Sequence, residues 1–291
     1  MVKTLVYGIY PRSARLRRSY NRWERGLINI EELSDIIREE KEIYYNHMEE
    51  SGIHQYTDPL FNWYDILRPV ILSMKNVRLG PLTRYLETNT FYRMPEFEGI
   101  PEIVKNIGEF QELEENPPLP LYQLDRRSSI FLPSPYTVIK MSSFTDSINQ
   151  KDILNALIRE YIKIAKAYER KEIVLFDSFP YNDNNISYLD PLLENNDVTL
   201  VTAGNPGEKN FKGLKNKFAT VVLGKEDKNI LKFSRNLGAK AVDSHRTKIE
   251  GISSKDYEWA GVLTHGDYMD FLPREIADIK VNVLGKAGER Q

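Results

Sequence analysis

Short apolar runs recur along this chain, each closed by a turn or a polar residue and separated from the next by a longer helix-patterned or polar stretch. Thr4 to Tyr7 is the first, ended by Gly8. Further strand candidates stand at 54, 88, 137, 173, 198, 220 and 262. Between them, Asn29 with Glu32 three residues later reads as a capping box, and Leu33, Ile36, Ile37, Tyr44 and Met48 keep helical spacing up to Gly52. Asp152 to Glu169 places Ile153, Leu157, Ile158, Tyr161, Ile162 and Ala165 on one stripe. Strand, helix, strand at this spacing predicts parallel pairing with right-handed crossovers. Eight strand candidates suit closure, so the expected class is α/β, a single-domain (β/α)8 TIM barrel over residues 1–291. A doubly wound open sheet is the alternative. Residues 107–122, acidic and proline-rich without an apolar period, are expected to form a surface excursion.

Charge and composition narrow the partners. The 40 Lys and Arg nearly cancel the 42 Asp and Glu, leaving a formal charge of −2, which argues against nucleic acid and anionic membranes as partners. Cysteine is absent, which removes disulfides, thiolate metal ligands and cysteine nucleophiles together. The four histidines, at 47, 54, 245 and 265, share no spacing suited to one metal, so no metal site is expected. No window approaches a membrane-spanning apolar run, and Met1 leads straight into a strand, so a cytoplasmic protein is expected.

Groups able to meet a ligand are densest between Gly80 and Phe97, in GPLTRYLETNTFYRMPEF. Arg84 is a permanent cation with five donors, and Asn89 both donates and accepts. A second basic stretch, SARLRRSYNRWERG, gathers Arg15, Arg17, Arg18, Arg22 and Arg25 on one expected helix just after Arg12. Such a helix repels itself unless an anion or an acidic surface lies opposite. Asp58, Asn89 and Asp177 each stand where a strand is expected to end at its carboxyl side, which in α/β folds is where function collects.

The run LTRYLETNTFYRMPEF resembles a segment of the amino-terminal domain of cobalamin-independent methionine synthase: a basic residue, an aromatic, an acid, Thr-Asn, two aromatics and Pro-Glu. Asn62-Trp63-Tyr64-Asp65, Ser134-Pro135-Tyr136-Thr137 and LFDSFPYND resemble other parts of the same domain, with Ser134 where glycine is usual. The resemblance implies that Arg15, Arg17 and Arg84 contact the acidic tail of a methylated pterin, a polyglutamate or another anionic tail. It also implies that the zinc ion holding homocysteine as thiolate belongs to a separate barrel protein, because this chain lacks the cysteines of that site. No cofactor is expected to be held by this chain itself. If the chain is catalytic, the resemblance implies a homocysteine methyltransferase acting in methionine biosynthesis as one component of a two-protein enzyme. Two alternatives remain: a self-sufficient, zinc-independent methyltransferase or lyase using Asp58, Asn89 or Asp177, and a non-catalytic paralogue that stabilises a partner.

Overall fold

A computed structural model describes residues 2–85, 91–103, 125, 127–145, 148–169, 172–179, 187–202, 220–223, 241–243, 259–263 and 273–289. The strands are β1 (Lys3–Tyr7), β2 (Gln55–Tyr56), β3 (Met74–Arg84), β4 (Phe91–Ile103), β5 (Ile130–Pro133), β6 (Ser143–Phe144), β7 (Glu172–Asp177), β8 (Asp197–Thr202), β9 (Thr220–Leu223), β10 (Ala241–Asp243) and β11 (Trp259–Leu263). The described helices are α1 (Ala14–Glu24), α2 (Ile30–Glu50), α3 (Arg68–Leu72), α4 (Pro135–Lys140), α5 (Gln150–Ala167), α6 (Asp190–Leu193) and α7 (Arg274–Glu289).

Eight strands form one parallel sheet in the order β2-β1-β11-β10-β9-β8-β7-β5. The two strands at the ends of that order also touch. Thr57 and Ser129 form a parallel bridge, and the Ser129 N–H donates to the Tyr56 carbonyl at 2.8 Å, so the carboxyl end of β2 lies beside the amino end of β5. A second sheet, β3-β4-β6, is separate from the first; β3 and β4 form a long antiparallel ribbon.

These sheets correct the expectation of a single (β/α)8 TIM barrel built from strands at 4, 54, 88, 137, 173, 198, 220 and 262. The chain is mixed α/β with two sheets. The 88 position lies outside the described residues, and the strand that follows, β4, belongs to the second sheet. Position 137 is helical: Ser134 accepts the Thr137 N–H as an N-cap and Pro135 takes the first helical position, overriding the β preference of Thr137, Val138 and Ile139. β5 and β10 take places in the parallel sheet that no expected strand filled. The acidic segment 107–122 lies outside the described residues.

Elsewhere local chemistry acts as its sequence suggests. The Asn29–Glu32 capping box opens α2, with both reciprocal hydrogen bonds present. Strands β1, β5 and β7 are buried along nearly their whole length, the pattern of a sheet covered on both faces. Trp63 is buried against Phe131, with ring centroids 6.1 Å apart. Among the described residues, no helix is long and apolar enough to cross a membrane.

Candidate functional site

Among the described residues, Asp58, Ser134, Thr137, Asp177 and Ser178 are buried polar groups at or just past the carboxyl ends of β2, β5 and β7. At β2, Asp58 is fully buried and fully engaged. Its Oδ2 accepts from Lys41 Nζ at 2.7 Å and from Tyr45 Oη at 3.0 Å, while Oδ1 accepts the Leu60 N–H at 2.8 Å. That last bond holds Leu60 in a left-handed conformation with φ of 54°. Lys41 comes from α2 and is itself buried. A buried carboxylate with a cation, a phenol and an amide on its two oxygens is tied into the scaffold. Asp58 therefore closes the corner between α2 and β2, and α3 begins ten residues later, too far for Asp58 to cap it.

The end of β7 is different. Asp177 is fully buried, and its Oδ1 receives hydrogen bonds from Ser134 Oγ and from Thr137 Oγ1, the latter at 3.3 Å. Its Oδ2 is buried without a partner. Burial pushes the carboxyl well above its ordinary range, opposed by the Thr137 hydrogen bond. The network continues outward: Thr137 Oγ1 accepts the Ser178 N–H at 2.9 Å, and Tyr85 Oη donates to Ser178 Oγ at 2.7 Å. Tyr85 is the first residue past β3 and is buried, so this network fastens the ribbon to the carboxyl end of the parallel sheet.

The expected cations do not converge. Arg15 and Arg17 both lie on the exposed side of α1, whereas Arg84 ends β3 in the other sheet, also exposed. Arg15 pairs with Glu39 of α2 at 2.5 Å, which supplies the acidic surface that the basic helix requires. Asn89 lies outside the described residues.

Two further arginines sit at the carboxyl ends of β1 and β2. Arg12 donates from Nε to the Phe61 carbonyl at 2.7 Å and lies over the Tyr20 ring, 4.0 Å from its centroid, and 5.1 Å from that of Tyr64. Arg274, at the start of α7, is buried over the Tyr10 ring and binds Asp278 through Nε at 2.8 Å. Tyr10 Oη donates to the same carboxylate at 2.7 Å, and burial with the Asp278 charge raises that phenol far above its ordinary value. Arg12 was visible as the basic residue after Gly8 and Pro11. Nothing in the sequence near Arg274 marked it.

The histidines are scattered. His54 Nδ1 lies 3.0 Å from Thr4 Oγ1, and burial, then Lys3, then the amino terminus lower its pKa. His47 faces α7 with Nε2 buried and 3.9 Å from Asp278 Oδ1. His245 and His265 lie outside the described residues. Among the described residues, no group of three or more His, Cys, Asp or Glu is placed to hold a metal ion.

Neither a scan of protein-family models nor a search of curated proteins gave a match. Solved structures did. A putative vitamin-B12-independent methionine synthase from Listeria monocytogenes superposes with a TM-score of 0.59 at 14% identity, covering 99% of this chain and 98% of that one. A B12-independent methionine synthase from Shewanella sp., solved in complex with selenomethionine, gives 0.58 at 14% identity, covering 90% and 89%. The chain shares the fold of these synthases. The likeness extends over almost the full length of both partners in each superposition, so the fold of the whole chain, and not one motif, carries it.

Proposed function

We propose that this protein is a methionine-synthase-related methyl-carrier binder. It holds a methylated tetrahydropterin by its acidic tail, while a separate zinc-bearing barrel protein makes the homocysteine thiol reactive. The observation that carries this reading is a synthase fold spanning the whole chain in a sequence with no cysteine. Zinc would supply the thiolate at neutral pH, and this chain has no cysteine to hold it. Arg15, Arg17 and Arg84 are the cations assigned to that tail, the first two on α1 and the third at the end of β3. At Arg15 an incoming tail competes with Glu39. Exposed arginine–carboxylate pairs contribute about 1 kcal/mol each, so tail binding rests on several together.

A second reading has one observation in its favour. Asp177 at the carboxyl end of β7, buried with one oxygen unsatisfied and its pKa raised by that burial, is suited to the proton transfer that a self-sufficient methyltransferase or lyase would need.

Calorimetry with a methylated tetrahydropterin carrying a polyglutamate tail tests the first reading. The full chain is expected to bind it more tightly than the same pterin without a tail, and added salt is expected to erode the difference. Arg84→Ala is expected to weaken binding roughly fivefold, the equivalent of about 1 kcal/mol. Equal affinity for tailed and tail-less pterins at low salt would overturn the reading.

A further inference from the structure

Arg12, in the loop that leaves the carboxyl end of β1, is a half-buried cation that makes no ion pair among the described residues. Everything it touches is neutral. Nε donates to the Phe61 carbonyl at 2.7 Å and Nη2 to the Trp63 carbonyl at 3.4 Å. The guanidinium also lies over the Tyr20 and Tyr64 rings, 4.0 and 5.1 Å from their centroids. Carbonyl dipoles and ring faces attract a cation without cancelling its charge. Arg68 shares the Tyr64 ring at 5.6 Å, but Asp65 compensates it at 3.2 Å. Of the two guanidiniums on that ring, only Arg12 is therefore left without a counter-charge.

The fork geometry of the guanidinium shows which part of it is free. Five N–H groups give it two edges, each able to present a parallel pair of donors. In Arg12 the edge made by Nε and Nη2 is engaged by the two carbonyls, while the edge made by Nη1 and the second Nη2 hydrogen has no partner among the described residues. The turn that supplies those carbonyls is itself held. Leu60, buried and in a left-handed conformation with φ of 54°, is fixed by Asp58 Oδ1, and Tyr20 Oη donates to the same Phe61 carbonyl at 3.1 Å. Left-handed backbone at a residue other than glycine persists only where its surroundings enforce it, and it concentrates at ligand clamps. The free edge is thus oriented before any ligand arrives, which lowers the entropy cost of binding.

We propose that the free edge of Arg12 is a binding site for the carboxylate of a small molecule, held as a bidentate pair beside the Tyr64 ring. A monoanion with two coplanar oxygens matches both the parallel N–H pair and the single uncompensated charge. A phosphate dianion would keep half of its charge unanswered there. The site is distinct from Arg15, Arg17 and Arg84, and it stands on the Arg12 geometry whether or not the carrier reading holds.

The test is an NMR titration of the isotope-labelled full chain, read at the arginine side-chain N–H signals without any pterin present. Benzoate is the probe, benzamide its neutral isostere and inorganic phosphate the competing anion, with chloride holding ionic strength constant. Through-space contacts to the Tyr20 ring assign the Arg12 Nε–H signal without a substitution. Benzoate is expected to shift that signal saturably with a Kd of about 10 mM or tighter, and benzamide and phosphate roughly tenfold more weakly or not at all. Arg12→Lys keeps the charge but not the fork, and it is expected to weaken benzoate binding by about fivefold or more. A weaker or unsaturable response to benzoate, an equal response to benzamide or phosphate, or unaltered binding by Arg12→Lys would overturn the proposal. Should that variant not fold, the wild-type titration decides alone.

Discussion

Replacing Lys41 with Met removes the cation from a buried Asp58 carboxylate and leaves the carboxylate in place. The two groups are 2.7 Å apart, with side-chain exposures of 6% and 0%. Breaking a buried pair by deleting one partner costs about 3–5 kcal/mol, since the remaining charge is uncompensated. With an unfolding entropy of about 2 cal/mol/K per residue, a loss of about 4 kcal/mol lowers Tm by roughly 6–7 °C for a chain of 291 residues. Neutralising both groups tests the cause. Lys41→Met/Asp58→Asn keeps an acceptor for the Leu60 N–H but leaves no buried charge, and it is expected to recover most of the loss. A double-mutant cycle from urea unfolding should therefore give a coupling of about 2 kcal/mol or more. A Lys41→Met loss under about 1 kcal/mol, or a double variant as unstable as the sum of the singles, would refute the assignment of Asp58 to the scaffold.

Other consequences follow from the same packing. Asp177 has an ordinary value of 3.8 that burial raises, so its stabilising contribution is complete below that value and is lost as pH rises through the folded pKa. Asp177→Asn should flatten the fall in urea midpoint as pH rises above the ordinary carboxyl value; parallel curves for the two proteins would contradict a raised carboxyl in the folded chain. At Gly285 an added Cβ would lie 1.8 Å from the Ser51 carbonyl oxygen, a backbone atom at the end of α2, so Gly285→Ala should destabilise by about 3 kcal/mol in urea unfolding. A loss of under 1 kcal/mol would mean that α7 is not seated there. Tyr85→Phe removes the hydroxyl that reaches Ser178 and should cost about 1 kcal/mol, with faster amide exchange along β3; unchanged exchange would show that the ribbon is held by other contacts.

The strands that were legible in the sequence are those whose signal is local. Thr4 to Tyr7, Ile173 to Phe176, Val198 to Thr202 and Thr220 to Leu223 are uninterrupted apolar or β-branched runs, and each lies within a strand of the parallel sheet. The misreadings have physical causes. Ile130–Pro133 is only four residues long and follows the acidic segment, so its identity as a buried strand depends on its neighbour β7, not on its own pattern. Thr137 to Met141 has strand-like composition, yet Ser134 and Pro135 open a helix there, and a cap outweighs modest propensities over one or two turns. The ribbon was seen as a single strand because its two halves pair with each other, a long-range fact that a period-2 pattern cannot report.

The candidate site was legible in the same uneven way. Asp58 and Asp177 were both found as acids ending strands, but their environments separate them: one meets a lysine from α2, the other only hydroxyls from the β5–α4 corner. Residue type gave no hint of that difference. The pairing of Arg15 with Glu39 likewise depends on how α1 lies against α2. Arg274 escaped notice because its role comes from stacking on Tyr10, far away in the chain.

The central claim is that this chain grips a methyl carrier and relies on another protein for the metal that activates the thiol. It is tested most directly by measuring zinc content and homocysteine methylation together on the purified full chain, with and without a zinc-loaded partner barrel. The account predicts no zinc retained after dialysis against a weak chelator, no methionine formed by the chain alone with methylated pterin, and turnover only when the partner is added. One tightly held zinc per chain, or methionine made by the isolated chain, would contradict it.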